Sequence, residues 1–185
     1  IIFRNKLFIR TGYNPYSFVK RQDKSFTIKM GYFFLTQISL IFSNIFTVTS
    51  LQDKKNIQKS FLFTDKIRVR PNWINVESCP NLEDRLEDRV LSVGRLEKQK
   101  NFEMLIKSLK DSQITIDIVG EGSLRNDLIT LASKYSVNLN LIGTLGNDEL
   151  LKLYPKYKIF VLSSLYEGNP KALLEAMAAG CLVLA

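Results

Sequence analysis

From residue 89 onwards, short apolar runs alternate with longer runs in which apolar residues recur every three or four positions. The short runs favour strands and the longer periodicity favours amphipathic helices. Strands and helices that alternate at this spacing are typical of βαβ units, so we expect an α/β, Rossmann-like parallel sheet. The predicted strands are 89–93, 114–119, 137–142, 159–162 and 182–184, and the predicted helices are 101–110, 124–135, 148–157 and 170–179.

Small residues stand at the ends of four of these strands: Gly94, Gly120, Gly143 and Ser163. Small side chains let a ligand approach the backbone closely. Open parallel sheets bind ligands beyond the carboxyl ends of their strands. We therefore expect these four positions to lie along one edge of the sheet, around a nucleotide site.

The pattern before residue 77 is weaker but also alternates. Residues 11–15 are predicted to form a loop because of Gly12 and Pro15, and 53–59 to form a polar turn or short helix. We interpret this part as the end of a second α/β domain whose beginning lies outside the chain, which starts at Ile1. The predicted strands are 6–10, 45–49 and 66–70, and the predicted helix is 27–43.

Residues 30–52 carry no charge and are just long enough to cross a bilayer. Nine Ser, Thr, Asn and Gln residues within this stretch argue against lipid-facing positions. We expect a buried helix followed by a strand, packed inside the domain.

Residues 77–89 are polar, contain Pro80 and include the run EDRLEDR, which suits an exposed linker. The predicted organisation is a first domain at 1–76, a linker at 77–88 and a Rossmann-like domain at 89–185 that is cut short at its end.

Charge is distributed unevenly between these parts. Residues 1–76 hold 13 Lys and Arg against 3 Asp and Glu, or 13 − 3 = +10, and residues 77–185 hold 13 against 15, or −2. The excess indicates either an anionic partner for the first part or a plain contribution to solubility. Membrane lipid headgroups and nucleic acid are both candidates on charge alone.

The composition excludes several classes of site. The chain has no histidine, which excludes Ser-His-Asp and Cys-His catalysis and histidine-based zinc sites. Its two cysteines, Cys79 and Cys181, do not form a CxxC pair, so we expect no disulfide framework and a reducing compartment. There is no D-x-D pair to suggest a carboxylate metal site.

The segment GRLEKQKN, residues 94–101, follows the first strand of the second domain. We expect Gly94 to free the turn, and Arg95 and Lys100 to place two cations at the mouth of the site. A guanidinium fork and an ammonium point charge suit a diphosphate. The plainer alternative is a solvated basic loop.

A second segment, YEGNPKALLEAMAAG at residues 166–180, is predicted to form a buried apolar helix with Pro170 at its first position and Gly180 at its end. Glu167 lies in the loop before it, beside backbone N–H groups that can also hold an anion. The alternative role for Glu167 is purely structural, as a favourable negative charge at the start of a helix. Glu175 is the one acid inside the helix and needs a partner, which a structural ion pair with Lys171 would supply.

A third segment, GEGSLR at residues 120–125, is two-thirds of a dinucleotide fingerprint, because Arg125 replaces the third glycine. By itself it is a weak signal, and it argues against a nicotinamide site.

Together these segments resemble the glycosyltransferase group 1 family, retaining family-4-like enzymes of the GT-B fold. The matches are G-R-L-x-x-x-K-N at 94–101, G-x-G at 120–122 and E-G-x-P-x-x-x-x-E at 167–175. The resemblance is firm from 89 to 185. It is looser before that, where it depends on 10–13 and 70–72.

The resemblance implies a donor site made of residues from two loops and a helix. Arg95 and Lys100 hold the donor diphosphate, Glu167 lies near the transferred sugar, and Glu175 bonds the nucleotide ribose. In the same view Gly168, Asn169 and Pro170 line the donor site, and Glu167, Arg95 and Lys100 take part in catalysis.

The implied reaction transfers a hexosyl unit from a nucleoside diphosphate sugar to a glycan or glycolipid acceptor, with retention and by same-face attack. The implied enzyme needs no cofactor and no metal, because fixed cations can stabilise the leaving diphosphate. Many relatives have a histidine near positions 12–13, which this chain lacks, so acceptor binding there is expected to differ.

The resemblance implies a donor and an acceptor as partners, and no nucleic acid. The charge of residues 1–76 adds an anionic membrane at the cytoplasmic face as an expected peripheral partner. Two other classes of function stay open. One is a nucleotide-binding module without catalysis, against which the intact Arg95, Lys100, Glu167 and Glu175 weigh. The other is a protein that binds anionic surfaces, which would explain the +10 but not the four site residues.

Overall fold

A computed structural model describes residues 6–12, 15–20, 24–74 and 84–185. The chain divides into two compact units. The first takes in the residues up to Asn72 together with Glu167–Asn169, and the second takes in Trp73–Tyr166 and Pro170–Ala185. The predicted linker at 77–88 and the cysteine at 79 lie largely outside the described residues.

The first unit is built on a three-stranded parallel sheet in the order β1-β2-β3. Its core contains Leu40, Phe46, Val48, Ile57 and Ile67, all fully or almost fully buried. The strands are β1 (Phe8–Arg10), β2 (Ile45–Val48) and β3 (Ile67–Val69), and the helices are α1 (Pro15–Lys20), α2 (Phe26–Phe42) and α3 (Leu51–Ser60).

The sequence pattern does not predict helix α1, because Gly12 and Pro15 favour a loop. The helix begins at Pro15 itself. Proline is favoured at the first helical position, where its fixed φ suits the helix and no N–H is needed. The expectation of a loop over 11–15 is therefore wrong at Pro15.

Helix α2 has the predicted place along the chain, but it is not a buried helix. Among its described residues only Thr36 and Leu40 are buried, and its outward side carries large exposed apolar side chains. The uncharged sequence indicated a hydrophobic helix but could not indicate how much of it the neighbouring strands would cover. In the described part of the chain, no helix is long and apolar enough to cross a membrane.

The second unit contains a five-stranded sheet in the order β6-β5-β4-β7-β8, with every pair parallel. This confirms the predicted α/β class. The strands are β4 (Leu86–Val93), β5 (Thr115–Val119), β6 (Leu139–Gly143), β7 (Tyr157–Val161) and β8 (Leu182–Leu184), and the helices are α4 (Phe102–Ser108), α5 (Arg125–Lys134), α6 (Asn147–Leu153) and α7 (Lys171–Ala178).

The four small residues lie where the pattern placed them. Gly94 and Gly120 directly follow β4 and β5, Gly143 ends β6, and Ser163 follows β7 by two residues. Because the strands are parallel neighbours, their carboxyl ends share one edge of the sheet. We refer to this edge as the carboxyl edge.

Two apolar clusters cover the sheet. One contains Val90, Ile116 and Ile118 with residues of α4 and α5, and the other contains Leu91 and Phe160 with residues of α6 and α7. Adjacent residues such as Val90 and Leu91 fall in different clusters because successive strand residues point to opposite faces.

One charged side chain is buried within the sheet. The Asp117 carboxylate accepts hydrogen bonds from Arg89 Nη1 at 3.1 and 3.2 Å, Asn140 Nδ2 at 2.7 Å and the Tyr157 hydroxyl at 2.8 Å. Burial, and then the hydrogen bond to this carboxylate, raises the pKa of Tyr157 well above its ordinary value. Asp117 thereby links four neighbouring strands, which the sequence did not reveal.

Candidate functional site at the carboxyl edge

The loop after β4 is anchored to the loop after β5. Gly94 N–H donates to the Val119 carbonyl at 2.9 Å, and Leu96 N–H donates to the Glu121 carbonyl at 2.9 Å. The Leu96 side chain is fully buried, whereas Arg95 before it is exposed to solvent. The backbone thus fixes this loop and leaves the guanidinium free to reach outwards.

Lys100 closes a short 3₁₀ turn, Lys98–Lys100, and its side chain runs across Gly94. A Cβ added at Gly94 would stand 2.7 Å from Lys100 Cε and 2.9 Å from Cδ. Gly94 does not have positive φ, so its role is to make room for this lysine rather than to free the turn. The aliphatic part of the Lys100 side chain therefore packs at the end of β4.

The loop after β7 is tied to the same turn. The Ser163 hydroxyl donates to the Lys100 carbonyl at 2.7 Å, and Leu165 N–H donates to the Gln99 carbonyl at 2.9 Å. The Gln99 side chain in turn donates to the Tyr166 carbonyl at 3.0 Å. These three bonds fix the position of the lysine-bearing turn relative to the two central strands.

The glycines after β5 permit close backbone packing. Gly120 has φ +143°, and a Cβ there would collide with the Gly94 carbonyl oxygen. A Cβ at Gly122 would come within 2.5 Å of the Leu96 carbonyl oxygen. Arg125, which replaces the third glycine of the fingerprint, forms a 2.9 Å ion pair with Glu121.

Glu175 is 5% exposed and has two described partners. Its Oε2 accepts a hydrogen bond from the Tyr154 hydroxyl at 3.0 Å, and its Oε1 lies 3.0 Å from Lys171 Nζ. Burial, and then the Glu175 carboxylate, raises the pKa of Tyr154 well above its ordinary value, so Tyr154 stays protonated and donates. The ion pair between Glu175 and Lys171, which the sequence suggested as a purely structural role for Glu175, is present. A carboxylate nevertheless offers about four acceptor sites and can still bind a ligand hydroxyl.

Helix α7 begins one residue later than predicted, at Lys171, with Pro170 as the preceding cap residue. In the loop between β7 and α7, the buried hydroxyl of Ser164 has no hydrogen-bond partner among the described residues. A buried polar group without a partner is costly, and a ligand hydroxyl or phosphate oxygen would satisfy it. No motif in the sequence singles out Ser164.

Residues Glu167–Asn169 group with the first unit. A Cβ added at Gly168 would lie 2.5 Å from the Gly12 carbonyl oxygen, and the Asn72 side chain donates to the Asn169 carbonyl at 2.5 Å. Gly12 and Asn72 belong to the two short segments on which the looser part of the resemblance depended. Glu167 itself is half-buried in this loop.

The structure therefore places the predicted site residues in two groups. Arg95, Lys100 and Glu175 belong to the second unit, and Glu167 belongs to the first. That all four form one donor site stays a prediction.

The sequence model of glycosyl transferases group 1 matches residues 80–185. The chain belongs to the glycosyl transferases group 1 family. This match covers the whole carboxyl edge, including the lysine-bearing turn and helix α7.

The names of two relatives describe them as enzymes that act on undecaprenol-linked substrates. The N-acetylgalactosamine-N,N'-diacetylbacillosaminyl-diphospho-undecaprenol 4-alpha-N-acetylgalactosaminyltransferase of Campylobacter jejuni is 29% identical over 134 residues, which are 69% of this chain and 37% of the relative. The UDP-Gal:alpha-D-GlcNAc-diphosphoundecaprenol alpha-1,3-galactosyltransferase of Escherichia coli is 32% identical over an alignment of 158 positions, which covers 71% of this chain and 40% of the relative.

The fold agrees with that of solved glycosyltransferases. HepE of Anabaena in complex with UDP and glucose superposes with a TM-score of 0.80 over 97% of this chain and 52% of its own length, at 14% identity. This confirms the GT-B type of fold. The chain spans about two fifths of the length of the two curated relatives.

Proposed function

We propose that the protein to which this chain belongs transfers a hexosyl unit from a nucleoside diphosphate sugar to a glycan or lipid-linked acceptor. We further propose that the reaction retains anomeric configuration and uses neither a metal nor a cofactor. The observation that carries the proposal is the Lys100 side chain, which crosses Gly94 on a turn fixed by Ser163 and Gln99.

The chemistry follows from where negative charge develops. When the glycosyl–oxygen bond of the donor breaks, charge accumulates on the diphosphate leaving group. An ammonium held in advance by its surroundings stabilises this charge without reorganisation at the moment of reaction. Lys100 supplies such a charge, and Arg95, exposed in the loop that follows the same strand, supplies a bidentate fork for the same phosphates.

The names of the relatives support the acceptor class. Both curated relatives described above act on diphospho-undecaprenol-linked glycans, and the HepE complex contains UDP and glucose. We therefore propose a lipid-linked glycan as the acceptor class, reached at the cytoplasmic face of a membrane. The basic first part would then contact anionic headgroups, each lysine or arginine near the surface contributing on the order of 1 kcal/mol.

The decisive experiment offers the full-length protein a panel of UDP-, GDP- and ADP-sugars together with an undecaprenyl-diphosphate-linked glycan. We expect one donor to be consumed only when the acceptor is present, and a product whose anomeric coupling in NMR matches that of the donor. An inverted product would refute retention, and loss of activity with EDTA that Mg²⁺ restores would refute metal independence. If no nucleotide sugar binds at all, the proposed function is wrong.

Glu175 provides a second test, because we propose that it accepts a hydrogen bond from the donor ribose. Glu175→Gln keeps an acceptor for the Tyr154 hydroxyl but removes the charge, so we expect donor Kd to rise about tenfold. The melting temperature should change little. Isothermal titration with the donor and thermal denaturation measure the two effects.

Lys171→Gln is the matched control, since it breaks the ion pair with Glu175 without touching the carboxylate. A half-exposed ion pair contributes roughly 0–1 kcal/mol, so this variant should bind donor normally. If Lys171→Gln weakens donor binding as much as Glu175→Gln, or if Glu175→Gln only lowers the melting temperature, Glu175 has a structural role alone.

A further inference from the structure

The loop Glu167–Asn169 is held by residues of the first unit, with which it groups. We call these three residues the glutamate loop. Glu167, which we expect at the transferred sugar, is half-buried in it. The place of this carboxylate therefore depends on the contacts that the first unit makes with the loop.

One of these contacts is a close approach of two backbones. A Cβ added at Gly168 would stand 2.5 Å from the Gly12 carbonyl oxygen and 3.2 Å from the Thr49 hydroxyl oxygen. The Gly12 carbonyl is itself fixed, because the buried Thr49 hydroxyl donates to it at 2.8 Å. This packing sets how near the glutamate loop comes to the end of β1, but packing alone has little directional preference.

Asn72, which lies three residues after β3, supplies a directional contact. Its Nδ2 donates to the Asn169 carbonyl at 2.5 Å, and its Oδ1 accepts from Arg10 Nη2 at 3.1 Å. A guanidinium can only donate and a carbonyl can only accept, so a single orientation of the Asn72 amide satisfies both partners. Arg10 thereby turns the amide so that its N–H faces the glutamate loop.

The fold of the first unit does not depend on this bond. The three strands pair through their own ladders, and the core around Leu40 and Phe46 does not include Asn72. A half-exposed bond between neutral groups also contributes little to stability. The geometry is thus better explained by a need to orient the loop than by a need to hold the sheet together.

We propose that Asn72 is a positioning residue for the transfer reaction. Through the Asn169 carbonyl it holds the glutamate loop, and with it the Glu167 carboxylate, in place. The proposal rests on the proposed function, because it assumes that Glu167 acts at the transferred sugar. A displacement of about 1 Å at a reacting centre can cost roughly 10²-fold in rate.

Two variants of the full-length protein separate the two bonds of Asn72. Asn72→Ala removes both, whereas Asn72→Asp keeps an acceptor for Arg10 but sets an oxygen against the Asn169 carbonyl oxygen. We expect both variants to lower kcat by about 10- to 100-fold. Donor Kd should stay within about threefold of the unchanged protein, and the melting temperature should change little. A large loss of melting temperature in both would assign Asn72 a structural role and overturn the proposal.

Asn44→Asp is the matched control. Asn44 directly precedes β2, at the amino ends of the strands, and its Oδ1 accepts from Leu7 N–H at 2.7 Å. The aspartate keeps this acceptor and adds the same charge to the same unit. We expect kcat within about twofold of the unchanged protein. A loss as large as that of Asn72→Asp, with normal kcat in Asn72→Ala, would reduce the effect to added charge and overturn the proposal.

A double-mutant cycle tests whether Asn72 acts through Glu167. If it does, Asn72→Ala should lower kcat by less than about twofold further in a protein that already carries Glu167→Ala. Independent losses that multiply would overturn the proposal. So would a normal kcat in Glu167→Ala, although a protein that still consumes the donor would leave the proposed transferase function standing.

Amide hydrogen exchange gives a measurement that needs no turnover. Exchange in a peptide covering residues 165–172 should become at least about tenfold faster in both Asn72 variants, and it should be unchanged in Asn44→Asp. Unchanged exchange in Asn72→Ala overturns the proposal. Faster exchange in a protein that consumes no nucleotide sugar would mean that the proposed function fails while the hold of Asn72 on the glutamate loop stands.

Discussion

Lys100→Ala in the full-length protein should lower kcat by roughly 10²–10³, because it removes a fixed positive charge from the developing diphosphate leaving group. The ground-state donor carries less charge at the breaking bond, so KM should change far less than kcat. The fold should be retained, since the Lys100 backbone keeps its bond from Ser163 whichever side chain is present. Steady-state kinetics and thermal denaturation measure the two effects.

Lys98→Ala is the control for this prediction. Lys98 occupies the same 3₁₀ turn and carries the same charge, but it is exposed and is not proposed to contact the donor. A general electrostatic effect of the basic loop would lower kcat equally in both variants. Arg95→Ala should lower kcat as Lys100→Ala does. Normal turnover in both variants would contradict the proposal that the carboxyl edge stabilises the leaving diphosphate.

Gly120→Ala should destabilise the second unit by about 3 kcal/mol or more. Its φ of +143° is costly for any residue with a Cβ, and that Cβ would collide with the Gly94 carbonyl oxygen, a backbone atom that cannot move aside cheaply. For a chain of this size the loss corresponds to roughly 6–12 °C in melting temperature. Circular dichroism during heating gives the measurement.

Gly146→Ala serves as the comparison within the same unit. Gly146 has φ −66°, and the nearest atom to its added Cβ is a flexible Glu149 carboxylate oxygen at 3.3 Å. It caps α6, where alanine in place of glycine costs less than about 1 kcal/mol. Similar melting temperatures for the two alanine variants would show that the close approach at Gly120 is not essential.

The second unit could be predicted almost completely from sequence because its order depends on local periodicity. Strand β4 and helix α7 each differ from prediction by three residues or fewer at their ends. Strands that alternate with helices along the chain are expected to run parallel, and the carboxyl ends of parallel strands lie at one edge of the sheet. Elements of this kind need no information about distant residues.

Three features were missed or misread because they depend on distant partners. Gly94 was expected to free a turn, but it makes room for Lys100. Asn72 bonds to Asn169, which is 97 residues away. The exposure of α2 depends on what packs beside it, which a hydrophobic pattern does not contain.

The roles of the two glutamates were only partly predictable. Residue spacing correctly suggested Lys171 as a partner for Glu175, since residues four apart share a helix face. It could not suggest Tyr154, which approaches from the turn after α6. The role of Glu167 at the transferred sugar stays a prediction.

The buried Asp117 has a consequence for how the second unit reaches its native strand alignment. Its neighbours Ile116 and Ile118 belong to one apolar cluster, while Asp117 reaches the side chains of Arg89, Asn140 and Tyr157. A slip of β5 by one residue would exchange the two faces and leave a carboxylate among aliphatic side chains. Such a slip would bury an unpaired charge, so Asp117 disfavours the register in which the residues of β5 that line the two apolar clusters are exchanged.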